Sequence, residues 1–174
     1  DLGEGMQVEA LAENVSNTAR STTISKGEAS VSTIEHILSA LTGMGVDNAY
    51  IDIDNVEVPI LDGSAKPYID AIWKDGFEHQ DAPRRYVEIK ATIEIRNDEK
   101  GSVVRIEPAD EFSYEIQIDF NSKVLGVQNA RWDDTVIYPE EIGTCRTFVF
   151  FHELEFLFNN GLVKGGDVDN AIVI

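Results

Sequence analysis

At 174 residues and a formal net charge of −18, the chain has room for one medium domain or two small ones, each with a real core. Its acidity disfavours phosphate contacts to nucleic acid and docking on anionic lipid. No apolar run nears the roughly 18–20 residues that span a bilayer. The 43% apolar and 26% charged content is that of a soluble globular protein. Cys145 is the one cysteine, which excludes an intrachain disulfide and a multi-cysteine zinc site. Asp1-Leu2-Gly3-Glu4-Gly5 lacks the basic and apolar regions of a signal peptide. The expectation is a cytoplasmic protein with no nucleic-acid partner and no membrane insertion.

After a polar opening, Ile34, Ile37, Leu38 and Leu41 recur at helical spacing, and Gly43 or Gly45 can end that helix. His36, Ala40 and Gly43 lie on its other side, which is small apart from the imidazole, so something packs or binds closely there. Ala49 to Asp54 alternates as a half-buried strand does. Pro59 to Ser64 reads as a strand end followed by a turn. Residues 65–75 suit a helix with Tyr68, Ile69 and Ile72 on one face and Gly76 as its stop.

Glu78 to Arg85 is polar, contains Pro83 and lacks periodicity, which makes it the domain boundary: residues 1–82 before it, 83–174 after it. Val87, Ile89, Ala91, Ile93 and Ile95 alternate as a long strand with one wet face. Asn97 to Gly101 is turn chemistry, and Val103 to Ile106 returns as the hairpin partner. Phe112 to Phe120 alternates again, whereas residues 122–139 carry no clear period. A helix is expected over 152–160, closed by Asn160-Gly161, and Ala171 to Ile174 reads as a final strand. That strand has no polar exit and the chain opens on no recognisable element, so it reads as a fragment of a longer α+β protein.

Ser32-Thr33-Ile34-Glu35-His36 is the most informative stretch for chemistry. A carboxylate beside an imidazole at a helix start supplies a general base and a metal ligand from one turn. The chain has only three histidines. Ser32 and Glu35 also fit a capping box that satisfies two free amides, the commoner reading of these five residues alone. His152-Glu153 does not complete a His-Glu-x-x-His zinc pattern, because position 156 is Phe; it reads as part of a solvated helix face with Glu155. His79 reads as an exposed linker residue and Cys145 as an ordinary buried thiol. Gly165-Gly166-Asp167 lacks the spacing and Lys of a P-loop and reads as a tight turn. An anionic substrate would need a metal, an Arg or a helix amino terminus to offset the acidity.

Several segments in order resemble one family: Ser32 to Leu41, Gly45-Val46-Asp47-Asn48, Val58 to Ala65, Cys145-Arg146-Thr147-Phe148 and Gly161 to Val173. It is the zinc-dependent UDP-3-O-acyl-N-acetylglucosamine deacetylases of lipid A biosynthesis. The chain resembles in particular the branch fused to a 3-hydroxyacyl-carrier-protein dehydratase. The resemblance implies two similar α+β domains, each a mixed or antiparallel sheet packed on a helix pair, both incomplete here, with the active site between them. It implies Zn2+ as cofactor and a UDP-linked acylated glucosamine as substrate. By the same resemblance Glu35 is the general base acting on zinc-bound water, His36 a zinc ligand and Thr147 the donor to the oxyanion.

Phe148 matches a residue near the sugar or nucleotide, and Phe150, Leu154, Gly166, Val168 and Val173 match the lining of an acyl passage. Zinc lowers the pKa of bound water to about 7, and an anchored acyl chain converts binding energy into positioning. The family's other two zinc ligands, in a His-x-x-x-Asp motif, and its downstream proton-donating His have no counterpart in residues 1–174. The expectation is that this segment alone neither holds zinc tightly nor deacetylates. The alternative is a pseudoenzyme that binds acyl ligands without catalysis.

Overall fold

The computed structural model describes residues 6–161, 167 and 169–174. Their contacts divide the α+β chain into two compact units, Asp1–Glu78 with Ile137–Ile174 and His79–Val136. The sequence break near Pro83 falls close to the first of these divisions, and the segment from Ile137 onward groups with the amino-terminal residues.

In the first unit, β1 (Val15–Asn17), β2 (Thr23–Lys26) and β3 (Ala29–Val31) form a three-stranded antiparallel sheet in that order. Buried Ile24, Ile34 and Val58 form its core, with Val8, Val31, Ile37, Leu38 and Tyr68 packed against them. Helix α1 (Glu35–Gly43) thus lays the apolar stripe read from the sequence onto the sheet. Its opposite side is occupied as well. Ala40 is fully buried, and a Cβ placed on Gly43 would fall 2.1 Å from the Tyr138 ring. Tyr138 opens the short helix α3 (Tyr138–Glu141), and its hydroxyl hydrogen-bonds Ser39 Oγ. The small side of α1 therefore receives an aromatic ring.

Helix α2 (Lys66–Asp75) has Pro67 in its first turn and stops at Gly76, whose φ is 76°. It packs on α1 and buries Ile69 completely. Farther along, β8 (Phe148–Val149) pairs in parallel with β9 (Ile172–Val173). A 3-10 turn, Phe151–Glu153, and α4 (Leu154–Asn159) lie in the connection, matching the helix expected over 152–160.

The second unit holds two antiparallel hairpins. β4 (Ile93–Asn97) pairs with β5 (Ser102–Ile106), and β6 (Tyr114–Asp119) pairs with β7 (Val127–Trp132). Aromatic contacts hold one end of the second hairpin: Phe112 meets Tyr114 and Trp132 edge-on, and Tyr114 stacks on Trp132.

Three local expectations are corrected. Ala49 to Asp54 joins no ladder and leaves Tyr50 96% exposed. Pairing begins only beyond it, where Ser32 bridges Glu57; alternation without a partner strand does not make a sheet. Val87 to Ala91 likewise stays outside the ladder, which starts at Ile93. The capping box does not form, because both side chains have other partners. Ser32 Oγ donates to the Val56 carbonyl, and the Glu35 carboxylate accepts the Thr22 N–H. Among the described residues, no helix is long and apolar enough to cross a membrane.

Candidate functional site

The turn from β3 into α1 carries Glu35 and His36, both half-buried. Thr33, just before them, adopts φ 59°. A β-branched residue there is a genuine outlier, and such conformations cost on the order of 1–3 kcal/mol. Neighbouring bonds hold it in place. Thr33 Oγ1 donates to Glu57 at 2.7 Å, Ser32 N–H to Val56 and Val58 N–H to Ser32. Thr22 grips the turn from its far side: its N–H donates to Glu35 Oε2 at 3.0 Å, and its carbonyl accepts the Ile34 N–H at 3.4 Å. Glu35 is therefore fixed by the hairpin loop between β1 and β2.

Thr147 lies at the junction of two other segments. Its N–H donates to the Gly63 carbonyl at 2.8 Å and its carbonyl accepts the Ile172 N–H at 3.0 Å. The Pro59 to Ser64 turn thus meets the start of β8 directly. Gly63 is required there: φ is +83°, and an added Cβ would fall 2.1 Å from the Asn170 carbonyl oxygen. The turn is braced further. Asp62 Oδ1 accepts both the N–H and the hydroxyl of buried Ser64, Arg146 Nε donates to the Asp62 carbonyl at 2.7 Å, and the Tyr68 hydroxyl donates to the Pro59 carbonyl. Burial raises the pKa of Tyr68, keeping it a donor.

Phe148 and Phe150 alternate along the extended segment after Thr147, with ring centroids 5.5 Å apart and edge-on. His152 stacks on Phe150 at 5.4 Å, so it belongs to an aromatic row as well as to the surface. Leu154 is half-buried at the start of α4, and Val173 is exposed on β9. Gly166 and Val168 lie outside the described residues, as does Gly165.

Glu153 corrects its reading as a solvated-face residue. The Arg20 guanidinium meets it with both terminal nitrogens, at 2.5 and 3.2 Å. That bond holds the Glu153 carboxyl below its usual range and raises the Arg20 pKa. Cys145 is also corrected. It is exposed, with Sγ donating to the Glu141 carbonyl at 3.3 Å behind α3. His79 is exposed, as expected.

Sequence reasoning missed Thr22, Arg20 and Tyr138. Thr22 acts through backbone atoms, which no side-chain pattern marks. Arg20 pairs with a residue 133 positions away. Among the described residues, no three His, Cys, Asp or Glu side chains gather to hold a metal ion.

The family profile UDP-3-O-acyl N-acetylglycosamine deacetylase matches residues 1–174. The chain is 46% identical over 174 residues to the bifunctional enzyme LpxC/FabZ of Porphyromonas gingivalis, covering all of this chain and 38% of that protein. It is 45% identical over 171 residues to the UDP-3-O-acyl-N-acetylglucosamine deacetylase of Helicobacter hepaticus, covering 98% of this chain and 56% of the relative. A deacetylase of the same name from Thioalkalivibrio sulfidiphilus is 41% identical, with 58% of its length covered. The chain therefore spans between about two-fifths and three-fifths of these relatives. On this full-length match, the chain belongs to the UDP-3-O-acyl N-acetylglycosamine deacetylase family.

Proposed function

We propose that the whole protein containing this chain hydrolyses the N-acetyl group of a UDP-3-O-(3-hydroxyacyl)-N-acetylglucosamine, in the cytoplasm, as a step of lipid A biosynthesis. The family match over residues 1–174 carries this reading. Water attacks the acetamide carbonyl and Glu35 takes a proton of that water; the C–N bond then breaks as a proton is delivered to the leaving nitrogen, giving acetate and the free amine. A positioned general base of this kind contributes about 10²–10⁴-fold. The half-buried, hydrogen-bonded setting of Glu35 on a strained turn supports the role, since strain is held where geometry matters.

Thr147 donates its hydroxyl to the developing oxyanion. Its backbone is locked on both sides, by Gly63 and Ile172, which supports a fixed donor. Phe148 lies near the sugar or nucleotide. Phe150, Leu154 and Val173, with Gly166 and Val168, line the acyl passage. The described residues do not fit a complete metal centre. Zn2+, with His36 as one ligand, would draw its remaining ligands from polypeptide outside residues 1–174. The greater length of the relatives supports that arrangement; two similar α+β domains, each a sheet on a helix pair, are carried over from the family resemblance alone. The bifunctional relatives support a fused dehydratase as partner domain.

The test is acetate release from this substrate by the full-length protein, before and after chelation and zinc restoration. Zinc-dependent release is expected, with Glu35→Gln losing about 10²-fold or more. Tight acyl binding without acetate release would replace this reading with the non-catalytic one.

A further inference from the structure

The hairpin loop between β1 and β2 performs a task that neither of its strands needs. Its last residue, Thr22, holds Glu35 through an N–H and Ile34 through a carbonyl. Its apex residue, Arg20, sits at φ 67°, a left-handed conformation uncommon for a residue with a Cβ. From there its guanidinium meets both carboxylate oxygens of Glu153. Glu153 in turn reaches back to the Phe150 N–H at 3.4 Å. Hydrogen bonds, joined through the short loop segment Arg20-Ser21-Thr22, thus connect Glu35 to Glu153 and to the aromatic segment that follows Thr147.

Stability does not account for this pair. The two side chains are 48% and 25% exposed, and ion pairs so placed contribute about 0.2–1 kcal/mol. Geometry accounts for it better, because a two-point guanidinium–carboxylate contact fixes direction as well as distance. We propose that Arg20 and Glu153 form a positioning pair that aligns the Glu35 carboxylate, through Thr22, with the Thr147–Phe150 segment. The inference rests on the functional reading above, in which those two elements carry the base and the oxyanion donor. It adds two residues that act through others, by the bonds they make to each other and to Phe150.

The test uses the full-length protein with Arg20→Ala, Glu153→Ala, the double variant and the charge reversal Arg20→Glu/Glu153→Arg. Each single variant is expected to lower kcat about three- to tenfold with little change in KM, as misplacement of a catalytic group does. The double variant should fall no further than either single one, and the reversal should recover about half the loss or more. In a Glu35→Gln background, Arg20→Ala should cost less than about twofold, because the group it positions is gone. Wild-type kcat in the single variants, multiplying losses in the double, or an undiminished loss without Glu35 would each overturn the pair.

Absence of acetate release by the wild-type protein would instead overturn the functional reading. The pair is then judged by amide hydrogen exchange at Thr22, expected to be about fivefold faster or more in Glu153→Ala. Unchanged exchange would overturn it.

Discussion

At Gly63, one missing Cβ lets two distant segments meet. The turn at Asp62–Ser64 approaches Asn170 and Thr147 so closely that any side chain there collides with backbone, and its φ of +83° strains any L-residue as well. Gly63→Ala is therefore expected to destabilise the first unit by about 1–3 kcal/mol, from overpacking added to backbone strain. Urea unfolding monitored by circular dichroism measures this, and an unchanged midpoint would contradict the packing described. Glu153 supplies a second residue-scale expectation. Its carboxyl is held below the ordinary range, first by the Arg20 hydrogen bond, so the folded state binds fewer protons than the unfolded one. The resulting stabilisation is complete above the ordinary glutamate value of about 4.3 and fades as pH falls through the lower folded value. Arg20→Ala should flatten the stability curve in that acid window. A curve parallel to wild type would show that the pair is not formed in solution.

Among the elements, those with a full period were the most legible, although α4 and the two-residue β9 were also anticipated, from the turn signal Asn160-Gly161 and the apolar run Ala171 to Ile174. Ile34, Ile37, Leu38 and Leu41 mark α1 because nine residues give its stripe room to repeat. The same holds for α2, with Gly76 as its stop, and for the hairpin closed by Asn97 to Gly101. The strands β1, β2 and β3 have three, four and three residues, too few for alternation to register. Ala49 to Asp54 failed in the opposite way: it has the pattern and finds no partner strand among the described residues. The small side of α1 was legible as a place of close approach, but Tyr138, which fills it, comes from a four-residue helix with no period of its own. Gly43→Ala tests that contact. A methyl group 2.1 Å from the ring should cost about 1–3 kcal/mol, although alanine is the better helix former. Net stabilisation in a denaturant titration would show that the ring does not sit there.

For the whole molecule, the candidate site residues rest on the family resemblance, and the contacts that support them were not legible in the sequence. Glu35, His36 and Thr147 follow from the family resemblance. The links that hold Glu35 and Thr147 use the Thr22 N–H and the Gly63 carbonyl, backbone atoms of residues that are not sequence neighbours. No side-chain pattern encodes such links. A chain of net charge −18 also tests the metal assignment, because weak nonspecific cation attraction is expected from so many carboxylates. Calorimetric titration of the 174-residue segment with Zn2+ should show no tight one-to-one complex, since catalytic zinc takes about three protein ligands. A tight complex abolished by His36→Ala would mean that the other ligands lie within this segment.

The most direct test of the central claim is acetate release from a UDP-3-O-(3-hydroxyacyl)-N-acetylglucosamine by the full-length protein, wild type beside Glu35→Gln. The account predicts steady release by the wild type and a loss of about 10²-fold or more in the variant at unchanged fold stability. No release by the zinc-loaded wild type, or equal release by both proteins, would contradict it.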